Sequence, residues 1–361
     1  MKIITLNIKK TRNSWLLLFV AATYLASCSE SKDVGYFSHA STKIVLKTEN
    51  RNFINESEYQ EVGFILELDD IGPQMIEIMS HKQGGYIIFS KDNSSLYYWN
   101  EKEYPQQFAG HGRAPDEIEL GLRLLKMNNN IYVLQRARIS EVICDDNGCT
   151  LEVIEAFENV VTYFERKNNG DLIWSDFFMP DRGNLVLETS GQQKFAGAIY
   201  YHPDRSLVKY LNFNAVIPLS DDRGYLQKFS LLPYIVLLDN NLEIQEVYEI
   251  NHFTKRAIKQ SGNNNEKYYE FDDSEVSTGS AWFYELYDGK VLLIYAHSKA
   301  NPLSPHPMDF EIVTEYFDYY TFDPDTKTME YSGTSENHII PIKDGFLIQK
   351  GYYLYHYKKN E

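Results

Sequence analysis

Hydrophobic and polar positions along this chain fall into short runs separated by turn-forming clusters. Val62, Phe64, Leu66 and Leu68 alternate with Gly63, Ile65, Glu67 and Asp69, a period of two that predicts a strand. Residues 85–90 and 95–100 are rich in Ile, Tyr, Phe and Trp and flank Lys91-Asp92-Asn93-Ser94, which suits a β-hairpin: such side chains fit a pleated, half-buried surface, and the linking residues tolerate unusual φ. The unit recurs. Residues 123–127 and 131–135 surround three asparagines. Residues 139–144 and 149–156 surround Asp145-Asp146-Asn147-Gly148, whose Asn-Gly pair is a strong hairpin cue. Residues 160–166 with 171–177, 234–238 with 243–248, 281–287 with 290–296, 311–322 with 327–331, and 346–350 with 352–358 continue the series. Helix signals are almost absent.

Hairpins in isolation cannot bury enough surface to persist, so they must stack, close or array radially. Even spacing favours an all-β class and a β-propeller of six four-stranded blades, about 54 residues each; seven blades and a two-sheet sandwich remain alternatives. Residues 43–49 are expected to complete the last blade beside residues 346–358, because a closed ring leaves fewer free edges. The middle is less regular: 185–189, 194–201 and 207–213 read as strands. Residues 260–275 and 297–308 read as exposed polar loops.

Composition narrows the function. Of 361 residues, 43% are hydrophobic, with 28 Tyr and 20 Phe, enough for a sizeable core. The net charge is −16. Such a surface repels phosphate backbones, and no basic stripe offsets it, so nucleic acid is an improbable partner.

The N-terminus carries the most specific local signal. Lys2, Lys9, Lys10 and Arg12 precede an apolar run at residues 15–22, too short for a comfortable membrane span. Next comes Leu25-Ala26-Ser27-Cys28, which resembles the bacterial lipobox. That resemblance implies a signal peptide at 1–27, cleavage before Cys28, diacylglycerol and palmitate on Cys28, and anchoring to the lipid bilayer at about 0.8 kcal/mol per buried methylene. Residues 28–35 then read as a flexible tether and 36–361 as the propeller domain. Losing the leader's four cations would take the net charge to about −20.

Together with Gly85-Tyr86-Ile87-Ile88-Phe89 and the loop Gly110-His111-Gly112-Arg113-Ala114-Pro115-Asp116-Glu117, this chain resembles Bacteroidota lipoproteins of the six-bladed β-propeller type, including related families of unknown function. The resemblance implies a cell-envelope protein, lipid-anchored at the outer membrane, facing the periplasm or the exterior.

Candidate chemistry is sparse. Residues 110–117 could cradle an anion through exposed N–H groups and Arg113, but they lack a dinucleotide fingerprint and a P-loop, so an inter-blade turn whose glycines relieve positive φ is preferred. Cys144 and Cys149 flank one turn and are expected to form a disulfide rather than a metal site. His297 and His306 share a polar stretch, read as solvated. Trp174, Asp176 and Trp282 could line a sugar pocket, although aromatic packing explains the tryptophans as well. No catalytic residue, metal site or cofactor is assigned. The reading is a non-catalytic propeller that binds an unidentified protein or glycan ligand; the alternative is an envelope enzyme acting on glycans or lactones through acids in the central channel.

Overall fold

The computed structural model describes residues 36–37, 41–47, 51–67 and 76–360, apart from short stretches at 92–93, 128, 137, 146–147, 158–160, 168, 177–184, 203–206, 209–210, 213, 220–222, 256, 264–265, 273–274, 287, 303–309 and 352. Cys28 and His306 lie outside them. Six antiparallel sheets of four strands, one carrying an added fifth, form a six-bladed β-propeller. Blade one runs from Ile76–Ser80 to Gln106–Ala109, blade two from Gly121–Met127 to Gly148–Ala156, and blade three from Val161–Arg166 to Gln192–Ala196. Blade four runs from Asn214–Pro218 to Ile244–Ile250, and blade five from Ser277–Glu285 to Thr328–Ser335.

Blade six begins with His338–Ile342, Gly345–Lys350 and Tyr353–Lys359, and takes its fourth strand from Tyr59–Glu67 near the start of the chain. This corrects the expectation for residues 43–49. Ring closure does use an N-terminal strand, but Lys43–Val45 instead runs parallel to Ile244–Ile250 at the outer edge of blade four. Both segments are apolar enough to pair. Register decides between them: Tyr357 donates from its hydroxyl to Glu61 Oε2 at 2.7 Å, across 296 residues of sequence, while Asn251 N donates to the Val45 carbonyl.

The described residues before and after Lys43–Val45 follow the rim. Phe37 packs edge-on against Tyr200, Phe229 and Tyr234. Arg51 Nη2 donates to the Tyr331 carbonyl at 2.6 Å, and Asn52 bridges to Thr334, both on the outer strand of blade five. The N-terminal segment is therefore a strap along blades four and five that turns into the last strand of blade six.

The core lies between blades. Tyr86–Ser90 and Tyr225–Phe229, second strands of their blades, are buried at every position, because each is covered on both faces. This explains continuous apolar runs where a one-sided sheet would alternate.

Three other expectations are revised. Residues 260–275 were expected as a loop, yet Ala257–Asn263 and Glu266–Asp272 form an extra hairpin between blades four and five. A run of polar residues can pair by backbone alone when no core face is required of it. Strand Val291–Pro302 pairs with Phe310–Asp323, so residues 297–302 of the loop expected at 297–308 are strand, and residues 303–308 lie outside the described residues. Leu207, Val208 and Leu211 sit in a helical turn rather than a strand, with Asn212 N donating to the Val208 carbonyl at 3.0 Å.

Cys144 and Cys149 face each other across the outer hairpin of blade two with Cα atoms 4.0 Å apart, and a disulfide joins them. Closing so short a loop stabilises by about 2 kcal/mol in the chain-entropy account.

Candidate functional site

The first strand of each blade lies innermost, and these strands approach one another around the axis: Ile76–Ser80 meets Gly121–Met127, which meets Val161–Arg166, which meets Asn214–Pro218. An innermost strand has no neighbour on its axial edge. Side chains and free backbone groups there must satisfy each other across the channel.

Arg123 does this by reaching across the ring. Its guanidinium carbon lies 4.7 Å from the centre of the Phe283 ring. Arg123 belongs to blade two and Phe283 to blade five, which stand opposite each other in a ring of six, so the contact spans the axis. Lys228 of blade four points its ammonium at the same ring from 5.7 Å and at Tyr295 from 5.9 Å. Two cations from different blades thus share one aromatic ring, an arrangement that benefits from the ring quadrupole.

One carboxylate answers them. Glu77 of blade one accepts the Leu124 backbone N–H through Oε2 and pairs with Lys91 through Oε1 at 2.6 Å. Tyr163 on blade three is buried and donates to Glu165 Oε2 at 2.9 Å. Arg123 and Lys228 are 9% and 1% exposed, whereas the side chains of Lys91 and Glu77 keep 21% and 16%, so the group opens to water on the Glu77–Lys91 side.

The electrostatics follow from burial and from cations outnumbering acids. Desolvation first, then Arg123 and Lys91, push the Lys228 ammonium down to about 7, with Glu77 opposing. Burial also lowers the Arg123 guanidinium and raises the Tyr163 phenol. Arg123 Nε is buried without a hydrogen-bond partner among the described residues. A chain carrying −16 overall therefore places positive charge at its centre. Chemically, such a group can receive an anion: a guanidinium supplies directed donors to a carboxylate, sulfate or phosphate, and the ammonium supplies a point charge.

The residues proposed from the sequence are not brought together. Arg113 is an exposed loop residue between blades one and two, 3.5 Å from Glu119. Trp174 and Asp176 lie on the second strand of blade three, where Trp174 is half-buried against the core of blades two to four. Trp282 lies on the first strand of blade five. The loop at 110–117 is an inter-blade link, but neither of its glycines has positive φ. A Cβ at Gly112 would meet the Glu117 carboxylate, the end of a flexible side chain that would have to move from the Ala114 N–H it accepts at 2.8 Å.

Arg123, Lys228, Glu77 and Lys91 were not singled out from the sequence. A signal existed in a cation set inside an apolar strand, as in Leu122-Arg123-Leu124-Leu125 and Tyr225-Leu226-Gln227-Lys228-Phe229.

Comparison with solved structures agrees with this architecture. A member of the DUF4221 family from Bacteroides vulgatus superposes with a TM-score of 0.52 at 11% identity, covering 85% of this chain and 100% of that one. The two share a fold. An exported protein of Bacteroides fragilis gives 0.49 at 10% identity, covering 85% and 87%. The extracellular domain of a one-component system from B. thetaiotaomicron gives 0.38 at 10%, covering 83% and 42%. No protein-family model matches the chain, and no curated protein matches it in sequence.

Proposed function

We propose that this chain is an exported, lipid-anchored propeller that binds an anionic ligand, a carboxylate- or sulfate-bearing sugar or small molecule, in its axial channel without transforming it. The carrying observation is the Arg123 guanidinium laid across the axis beside Lys228 with its Nε unpartnered. Binding rather than turnover is supported by the state of the acids: both Glu77 oxygens are engaged, and Glu165 is held by Tyr163. Paired-carboxylate hydrolysis needs two acids free to hold and release protons. The lipobox at Leu25–Cys28 supports export and anchoring in the envelope.

Titration of the full chain in detergent with galacturonate, sulfate and phosphate, with galactose as the neutral control, tests the binding. At least one anion is expected to bind and raise the melting temperature, and Arg123→Gln is expected to weaken it by about tenfold or more, the worth of a charge-assisted hydrogen bond. Indifference to all three anions, or an undiminished affinity in R123Q, would refute the site. Anchoring is tested separately by metabolic labelling with palmitate. The wild type is expected to take up label into the membrane fraction and Cys28→Ala to remain unlabelled; label retained by C28A removes the anchor from the proposal.

A further inference from the structure

A second polar cluster, away from the axis, joins the N-terminal strap to blade five. Asp318 begins the inner part of the long strand Phe310–Asp323, His297 lies on its neighbour Val291–Pro302, and Thr278 opposes His297 on the first strand of the blade. His252 enters from the link that follows Ile244–Ile250 of blade four. Lys47 enters from the strap.

Both oxygens of Asp318 are engaged by these neighbours. Oδ1 receives the Lys47 ammonium at 2.8 Å, and the same ammonium reaches Oδ2 at 3.2 Å. Oδ2 faces both imidazoles, His297 Nε2 at 3.0 Å and His252 Nδ1 at 3.4 Å. Lys47 already balances the carboxylate charge, so two histidines converging on Oδ2 are not needed as counter-charges.

We propose that His252 Nδ1, His297 Nε2 and Asp318 Oδ2 form a binding site for a divalent transition-metal ion of the zinc type. The three atoms lie within 4.8 Å of one another. Zinc held at about 2.0–2.2 Å by nitrogen and oxygen in a tetrahedron spaces its ligands roughly 3.3–3.5 Å apart, so only small side-chain rotations are required. Imidazole nitrogens select zinc, cobalt or copper over magnesium and calcium, which prefer oxygen.

The surroundings fit a ligated imidazole. His297 Nδ1 lies 3.0 Å from Thr278 Oγ1, which also accepts the Thr254 N–H at 2.9 Å. With Nε2 on the metal, Nδ1 carries the proton and donates to that hydroxyl oxygen, the outer hydrogen bond that fixes a metal-binding histidine. Tyr316 stacks on the His297 ring at 4.1 Å and holds its plane. Lys47 holds Oδ1 more closely than Oδ2, so a metal at Oδ2 displaces only the longer of its two hydrogen bonds. Asp318 and His297 side chains are 1% exposed and His252 is 48% exposed, so the fourth coordination position faces water on the His252 side.

The test uses the full chain in detergent, stripped with a chelator and titrated with zinc, cobalt and magnesium. Zinc and cobalt are expected to bind at one equivalent and raise the melting temperature, and magnesium to do neither. His252→Ala changes a half-exposed residue, leaves the fold in place, and is expected to weaken zinc by at least about tenfold. Lys47→Met leaves Asp318 without its ammonium; it is expected to melt earlier than wild type in chelator and to recover when zinc is added, which a purely structural ion pair would not do. No thermal shift with zinc, equal affinity in H252A, equal binding of magnesium, or no recovery of K47M would each overturn the site.

Discussion

A chain that begins at residue 68 is expected to lose its cooperative unfolding transition and to elute as aggregate, while one that begins at residue 36 gives a folded monomer. The deletion removes the strap contacts of Phe37, Lys43–Val45, Lys47 and Arg51 and, with the largest effect, the strand Tyr59–Glu67, which pairs with Tyr353–Lys359 along its length and buries Ile65 and part of Leu66 in the core of blades five, six and one. Each buried aliphatic side chain is worth about 1.5–3 kcal/mol and each net backbone hydrogen bond about 1 kcal/mol. Their sum is comparable with the whole stability of a domain, about 5–15 kcal/mol. The loss also leaves Tyr353–Lys359 as an unpaired edge, a template for association between chains. Size-exclusion chromatography and thermal melts followed by circular dichroism read both effects. A residue-68 chain that melted cooperatively at the temperature of the longer one would show that the borrowed strand does not close the ring.

Lys228 is expected to make stability and anion binding change in opposite directions with pH. Its ammonium is held at about 7 in the folded chain against an ordinary value of 10.5. The unfolded chain therefore binds more protons between these values, and stability rises with pH across that window; below 7 both states are protonated and the full cost of burying the charge is present. From pH 7 to pH 9 the gain is about 2 kcal/mol. Lys228→Met keeps the volume without the charge, so the stability difference between K228M and wild-type chains should favour the variant at pH 7 and shrink by that amount at pH 9. Other titrating groups, such as His356, which burial lowers to about 4, cancel in the comparison. Anion affinity should move the other way, falling by at least about tenfold from pH 6.5 to pH 9 as the ammonium is lost, and K228M should show little of this fall. Urea melts and titrations at the two pH values measure each trend. A wild-type chain whose stability relative to K228M is flat across the window would mean that Lys228 remains charged at the axis.

The fold was legible because hairpins are local. Most of the paired runs between residues 76 and 358 needed only their own apolar content and a turn cluster, and the blades follow once such units must bury each other. What depended on distant partners was less legible. The alternation Val62, Phe64, Leu66 marked a strand, yet Val62 and Phe64 are exposed and Ile65 is buried, because two register shifts along Tyr353–Lys359 reset which side faces inward. His297 was taken for a loop residue because prolines follow it, but Pro302 sits at the end of a paired edge where no N–H is required. Arg123 and Lys228 were not singled out in the sequence. Only the ring places one edge of a strand against an axis instead of a neighbour, and that geometry has no short-range signature.

The route of the strap also sets how the disc would sit on a membrane. The first described residues, Tyr36 and Phe37, are tied to Tyr200–Tyr201 beside blades three and four. With acyl chains on Cys28 as proposed, the leash from Ser29 to Gly35 reaches at most about 25 Å at 3.3–3.6 Å per residue. Blades three and four would then hang nearest the lipid headgroups, and blades six and one would face away, giving every copy on the bilayer the same shore and the same open side.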